Sequence, residues 1–302
     1  MEFRTATSAG HDLDEIESGG LRVRISRLGA EMVSLCRFGA GGWQGFLYRD
    51  GETGAPASGW GNHATVMGYF IHRLWKEQSV YRGHVIRGGN HGFLRHFAFG
   101  EPERLEDGIV YHVPAEAVPP EAYPLRVSLA LSYRIIGGSL RIGFDFTNHE
   151  PDLDAHLSFG LHPGFAVGSV SSARLLLPAG TYERHLAPGN FLDGRVETIP
   201  FPGGEMPFDK AALPGSFLLG IDAVPDKTFV LEDGGRRITL DFSEAPFVTL
   251  WSESDHFLCI EPCWGLPDSN PPVPFERKAG IQVVPRAGRL QRSFSITPEC
   301  LT

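Results

Sequence analysis

Two stretches of this chain alternate apolar and polar residues on either side of a glycine pair, and no other feature restricts the fold so strongly. Leu125 to Phe146 reads as two strands, LRVSLALSYRI and SLRIGFDF, joined at Gly137-Gly138, a dipeptide that accepts the positive φ of a tight hairpin turn. Phe229 to Phe242 repeats the arrangement, with FVLED and RRITLDF flanking Gly234-Gly235 and Asp233-Gly234 adding a turn signal. Alternation of period two puts one face of each strand into a core, which a helix of period 3.6 cannot do with the same residues.

The rest of the chain reads the same way. Leu21, Val23 and Ile25 alternate with Arg22, Arg24 and Ser26, and Gly29 marks a turn before the next strand. PFVTLWS and HFLCIEP are expected to pair around Glu253-Ser254-Asp255, and RLQRSFSIT, Arg289 to Thr297, supplies a last strand. With 37 Gly and 23 Pro in 302 residues, turns are many and helices few and short. The fold class expected is all-β. No Pro/Ser-rich linker, charge block or internal repeat divides the chain, so residues 1–302 are read as one domain, with the polar segment 1–18 a candidate flexible lead-in.

Composition excludes several functions. A net charge of −9 provides no positive field for nucleic acid or anionic lipid. No apolar run reaches the length of a membrane span and the N-terminus lacks the apolar core of a signal peptide, so a cytoplasmic location is expected. Cys36, Cys259, Cys263 and Cys300 form neither a C-x-x-C pair nor a disulfide framework, and are read as buried thiols in a reducing compartment. A G-x-S-x-G elbow, a phosphate-binding loop and a dinucleotide fingerprint are all missing, which disfavours hydrolase, kinase and dehydrogenase chemistry.

Histidine carries the most chemical information. Of the twelve, His63, His72, His84, His91 and His96 crowd into one Gly-rich stretch, a pattern of a polar pocket or a metal site. Metal ligation would want H-x-H or H-x-x-x-H spacing, which the stretch lacks, so no metal is assigned. His63, His84 and His96 are read as hydrogen-bonded structural or surface groups. His91, within GGNHGF, has flanking glycines that permit close approach to a ligand and Phe93 and Phe97 as a candidate apolar wall. His162 in SFGLHPGF and Glu261 in CIEPCWGL each precede a proline, which is expected to stop the ladder and leave the side chain at a strand end. A histidine and a carboxylate so placed offer a general acid and a general base; a carboxylate paired with an arginine is the structural alternative for Glu261.

In order and spacing, IHRL, GGNHGFLRH, DFTNHEPDLDAHLSFGLHPGF and CIEPCWGLPDS resemble the aldose 1-epimerase (galactose mutarotase-like) superfamily, closest to a branch of mutarotase-like proteins. The resemblance covers about residues 20 to 297, and Asn148 through Phe165 and Ile260 through Ser269 are its most specific parts. It implies a large antiparallel β-supersandwich with a sugar cleft across one sheet. It also implies Glu261 as general base on the anomeric hydroxyl and His162 as general acid at the ring oxygen, with His91 and Arg73 binding the sugar. Asp226 in DKTFVL, with Asp222 as the competing alignment, would be the sugar-binding aspartate. The implied activity is interconversion of α and β anomers without metal or organic cofactor, on a small-molecule sugar, free or phosphorylated, by a monomer or homodimer. His72 stands where studied mutarotases tend to carry asparagine, and PGF replaces their aromatic-asparagine text, so galactose is not implied as the substrate.

A hexose-6-phosphate mutarotase would need arginines at the cleft mouth, for which Arg73, Arg82, Arg87 and Arg95 are candidates. A non-catalytic sugar sensor would keep the cleft without turnover. Trp75, Phe93, Phe165, Trp251 and Trp264 are candidates to stack on a sugar, with core packing the alternative for each.

Overall fold

A computed structural model describes residues 1–8, 11–50, 59–206, 213 and 215–301. Strands β1 (Glu2–Ser8), β2 (His11–Ser18), β3 (Leu21–Ser26), β4 (Glu31–Gly39) and β5 (Gly42–Gly45) form a five-stranded meander in chain order. Within segment 1–18, read as a candidate flexible lead-in, residues 2–8 and 11–18 are therefore two strands. Their polar residues hold them down: the Asp14 carboxylate accepts from Arg27 and from the buried Tyr111 hydroxyl, and Ile16 enters the core.

Next come β6 (Ala64–Tyr69) and a separate hairpin of β7 (Gln78–Tyr81) and β8 (His84–Arg87). They are followed by β9 (Glu103–Arg104), β10 (Gly108–Val113), β11 (Val127–Ile136), β12 (Ser139–Asn148) and β13 (Ala155–Ala166). The middle of the chain gives β14 (Arg174–Leu177), β15 (Gly180–His185), β16 (Val196–Phe201), β17 (Gly204–Glu205) and β18 (Phe217–Gly220). The last six are β19 (Thr228–Asp233), β20 (Arg236–Asp241), β21 (Phe247–Trp251), β22 (Phe257–Trp264), β23 (Gln282–Val284) and β24 (Arg289–Cys300). Helical turns among the described residues are single 3-10 turns.

Both glycine-pair hairpins form as read. Gly137 and Gly138 have φ of 59° and 83° between β11 and β12, and Gly234 and Gly235 have 54° and 80° between β19 and β20. β24 joins the two hairpins, pairing with β12 on one side and β20 on the other. The result is a nine-stranded sheet in the order β17-β14-β19-β20-β24-β12-β11-β10-β9.

A second sheet runs β16-β15-β18-β21-β22-β13-β23, with β6 also on the outer edge of β13. The two sheets pack face to face. Phe144 and Phe146 of β12 and Phe294 of β24 meet Phe159 and Trp264, and Phe159 stacks on Trp264 at 5.0 Å and 10°. The structure is thus the antiparallel β-sandwich expected, and its core is aromatic where the layers touch. On β22 the even residues Leu258, Ile260 and Trp264 point into this core, and the odd residues Phe257, Cys259 and Cys263 belong to clusters on the opposite face. That opposite face carries the cleft.

Candidate active site

Four strands, β21, β22, β13 and β6, lie side by side, and their register sets four polar residues in one row. Thr249 pairs with Glu261, and His162 pairs with Thr65. The register that joins Gly160 to Cys263 and Gly164 to Cys259 sets His162 opposite Glu261. Directly opposed residues of antiparallel strands project to the same face, so the row Thr249, Glu261, His162, Thr65 forms the floor of a cleft.

The prolines do not end these strands. Pro163 pairs with Ala64 and Pro262 with Val248, while the ladder between β13 and β22 opens only from Gly160–Cys263 to Gly164–Cys259. Proline lacks an N–H but keeps an extended φ and a carbonyl, so the strand continues and one ladder is interrupted. His162 and Glu261 consequently sit in a break in mid-sheet, not at strand ends.

Within the break His162 Nε2 lies 3.3 Å from Glu261 Oε1. Both side chains are buried, and Glu261 Oε2, His162 Nδ1 and Thr65 Oγ1 have no hydrogen-bond partner. Buried polar atoms are normally satisfied, and the three residues that carry these all line one cavity, which marks it as a place for a polar ligand. Burial pushes the Glu261 carboxyl well above the usual carboxylate range and the His162 imidazole down to about 3. With shifts of opposite sign, the two groups together hold one proton through the interval between them, and that proton belongs to the pair.

Two histidines form one wall. The His72 backbone N–H donates to His91 Nδ1 at 3.2 Å, and the His91 N–H donates to the His72 carbonyl at 2.9 Å. With Nδ1 accepting, the neutral His91 ring carries its proton on Nε2 and can donate it to a ligand. His91 stands edge-on to His162, with ring centroids 5.3 Å apart. Burial, and after it the electrostatic influence of His162 and other neighbours, holds His91 and His72 well below the usual imidazole range, His72 at about 3. The glycine after His91 serves the scaffold: a Cβ on Gly92 would run into the Gly68 carbonyl of β6. Phe93 and Phe97 pack against the core instead of walling the cleft.

Trp60 and Trp251 form the other wall. Trp60 stacks on His162 with centroids 4.8 Å apart and 29° between planes, and Trp251 meets both rings edge-on. This stacking needs glycine at 164, because a Cβ there would come within 2.6 Å of the Trp60 ring. Asn62, with its amide oxygen turned toward them, accepts from Trp60 Nε1 at 3.1 Å and Arg95 Nη2 at 3.2 Å. Arg73, Asn90 and Glu253 complete the rim of a cavity of about 310 Å³, at the small end of ligand sites. Ala187, Asn190, Gly215 and Ser216 are shared with a second cavity, lined by Arg184, His185 and Arg195.

Of the residues singled out in the sequence, Glu261, His162, His91 and Arg73 meet in this cleft. Asp226 does not. It is exposed and accepts the Thr228 N–H at 2.9 Å in a turn, while Asp222, equally exposed, pairs with Lys227. The D-x-x-F-x-L pattern here marks the start of β19, which belongs to the other sheet. His63 bonds Glu31 through its backbone N–H, and His84 and His96 are exposed, as read. Trp264 and Phe165 are core residues, and Trp75 packs edge-on against Phe191; of the stacking candidates only Trp251 lines the cleft. Arg73 and Arg95 line it, whereas Arg82 bonds the Asp154 carbonyl and Arg87 bonds Gln78. Thr65, Trp60, Asn62, Asn90 and Glu253 were missed. Only pairing partners across strands reveal Thr65, and nothing in the sequence near Trp60 marks it.

No protein-family model matches the chain. Protein LacX (chromosomal) of Lactococcus lactis subsp. lactis is 24% identical over 229 residues, covering 70% of this chain and 76% of that protein. A galactose mutarotase related enzyme from Lactobacillus acidophilus superposes with a TM-score of 0.83 at 23% identity, covering 95% of this chain and 97% of that one. A galactose mutarotase-like protein from Lactobacillus casei gives 0.81 at 23% identity, with 95% and 100% covered. These likenesses show that the chain has the galactose mutarotase-like fold.

Proposed function

We propose that this protein is an aldose 1-epimerase-like isomerase that interconverts the α and β anomers of a sugar by acid–base ring opening. The observation that carries the reading is the buried His162–Glu261 pair, 3.3 Å apart on the floor of a polar cleft. Mutarotation removes a proton from the anomeric hydroxyl and adds one to the ring oxygen, so it consumes none overall. A pair that shares one proton supplies both halves.

Ring opening needs a carboxylate at the anomeric hydroxyl and an imidazolium at the ring oxygen. Passing the shared proton from Glu261 to His162 creates that state with no exchange with water, and the bound sugar's hydroxyls replace the solvation that burial removed. Glu261 then takes the anomeric proton while His162 protonates the ring oxygen. The C1–O5 bond breaks to the aldehyde, C1–C2 rotates, and closure on the other face reverses both transfers. The His91 Nε2–H and Arg73 donate to sugar oxygens, Thr65 Oγ1 offers a further partner, and Trp60 and Trp251 offer apolar faces. No helix among the described residues is long and apolar enough to cross a membrane.

The test is NMR saturation exchange between α and β anomeric protons over free and 6-phosphorylated aldoses. Wild type should accelerate exchange, and Glu261→Gln and His162→Asn should each abolish the acceleration. Binding without acceleration for every sugar would make the protein a sensor. A preference for phosphorylated aldoses would point to Arg73 and Arg95 as the anion-binding groups.

A further inference from the structure

Three donor atoms of different kinds meet at the cleft floor, where His162 and Glu261 line the cavity and Cys259 lies buried beside them. A ring nitrogen of His162, a carboxylate oxygen of Glu261 and the Cys259 thiol all lie within 4.8 Å of one another. Cys259 and Glu261 are alternate residues on the cleft face of β22, and the residue opposite Cys259 on β13 is Gly164, over which the Trp60 ring packs. Cys259, Glu261 and His162 are 0%, 1% and 7% exposed, and Glu261 Oε2 and His162 Nδ1 are unpartnered. Ring opening uses the histidine and the glutamate and gives the thiol no task. Sequence spacing hides the trio, because its members come from two strands.

We propose that His162, Cys259 and Glu261 form an inhibitory site for a thiophilic divalent cation of the zinc type, which locks the acid–base pair. Imidazole, thiolate and carboxylate are a set that zinc accepts with the fourth position left for water, and the cleft above supplies that water. Calcium and magnesium seek oxygen ligands and do not match it. Zinc–ligand bonds of about 2.0–2.3 Å set the donors roughly 3.3–3.7 Å apart, so the side chains draw together by about 1 Å.

Charge balance selects a divalent ion. A thiolate, a carboxylate and a neutral imidazole balance a 2+ ion, so the metal-bound site buries no net charge. With His162 and Glu261 both ligated, neither can take or give the proton that ring opening moves, so the metal-bound form is inactive. This inference rests on the proposed acid–base reading only for its effect on turnover.

Cobalt(II) tests it spectroscopically. Metal-free protein titrated with Co²⁺ should develop a near-ultraviolet thiolate-to-cobalt band and visible bands of a four-coordinate ion, saturating at one equivalent and displaced by Zn²⁺. Cys259→Ala, checked for fold by circular dichroism, should lose the thiolate band, and Cys259→Ser should do the same if alanine fails to fold. In anomer exchange, Zn²⁺ should inhibit wild type at least tenfold, with recovery on adding a chelator, and leave Cys259→Ala at the uninhibited rate. A thiolate band that persists in the Cys259 variants, or no band in wild type, overturns the site. If no sugar is turned over, the cobalt spectrum still decides the question, so the two failures are distinguishable.

Discussion

The His162 and Glu261 side chains differ from ordinary ones only in their surroundings, and the consequence is a pH profile. Because burial depresses His162 to about 3, a second proton joins the pair only far below the usual imidazole pKa of about 6.5, and because Glu261 is raised, the first is retained well above the usual carboxylate range. We expect kcat/KM for anomer exchange to show no fall as pH drops through 6.5; an inflection there would contradict the paired-proton reading. Stability behaves otherwise. His72, neutral in the fold and lowered to about 3, binds a proton readily only once unfolded, so its contribution is complete above 6.5 and lost progressively down to about 3. Urea unfolding of His72→Asn should therefore lose stability on acidification less steeply than wild type, by about 1.4 kcal/mol per pH unit within that window. Gly164→Ala tests the aromatic wall: the added Cβ, 2.6 Å from the Trp60 ring, should lift that ring off His162 and destabilise by about 1–3 kcal/mol, read by tryptophan fluorescence and a raised KM.

At the scale of elements, the segment carrying His72 and Arg73 is held by the chain that follows β22. The Asp268 N–H donates to the Arg73 carbonyl, and the Asp268 carboxylate accepts the Trp75 N–H at 3.0 Å. Lys278, itself only 3% exposed, stands 3.6 Å from that carboxylate, and burial lowers its ammonium to about 8. Asp268→Asn removes the charge that compensates this lysine and should cost about 3–5 kcal/mol, whereas Asp268→Asn combined with Lys278→Met should cost less than the single change. Denaturant titration of the three variants checks both statements. The hairpins were legible because Gly137-Gly138 and Gly234-Gly235 combine turn chemistry with local alternation. The strand ends assigned to Pro163 and Pro262 were not, because a proline disables the hydrogen bond of one N–H, and only the sheet decides whether a strand runs on past it.

Across the whole molecule, the layer contact that supports the cleft is Phe159, stacked on Trp264 and packed against Phe144 and Phe146. Phe159→Ala should cost about 3–5 kcal/mol and Phe159→Leu less, with the melting temperature as the measure. Since β13 carries Phe159 inward and His162 outward, we expect the alanine variant to lose exchange activity together with cooperative unfolding.

Period-two alternation and turn residues determined the all-β class locally, because each depends on neighbours within a few residues. The histidine and glutamate of the cleft could be named from their motifs, with His91 and Arg73. Their meeting could not, since it depends on a register shared by β6, β13 and the β21–β22 pair, three stretches far apart in the chain. The same register brought in Thr65 and Cys259, and the assignment of β19 to the opposite sheet removed Asp226. A motif records which groups are present; which of them share a face is fixed by hydrogen bonding between distant strands, and that pairing exists only once the sheets have formed.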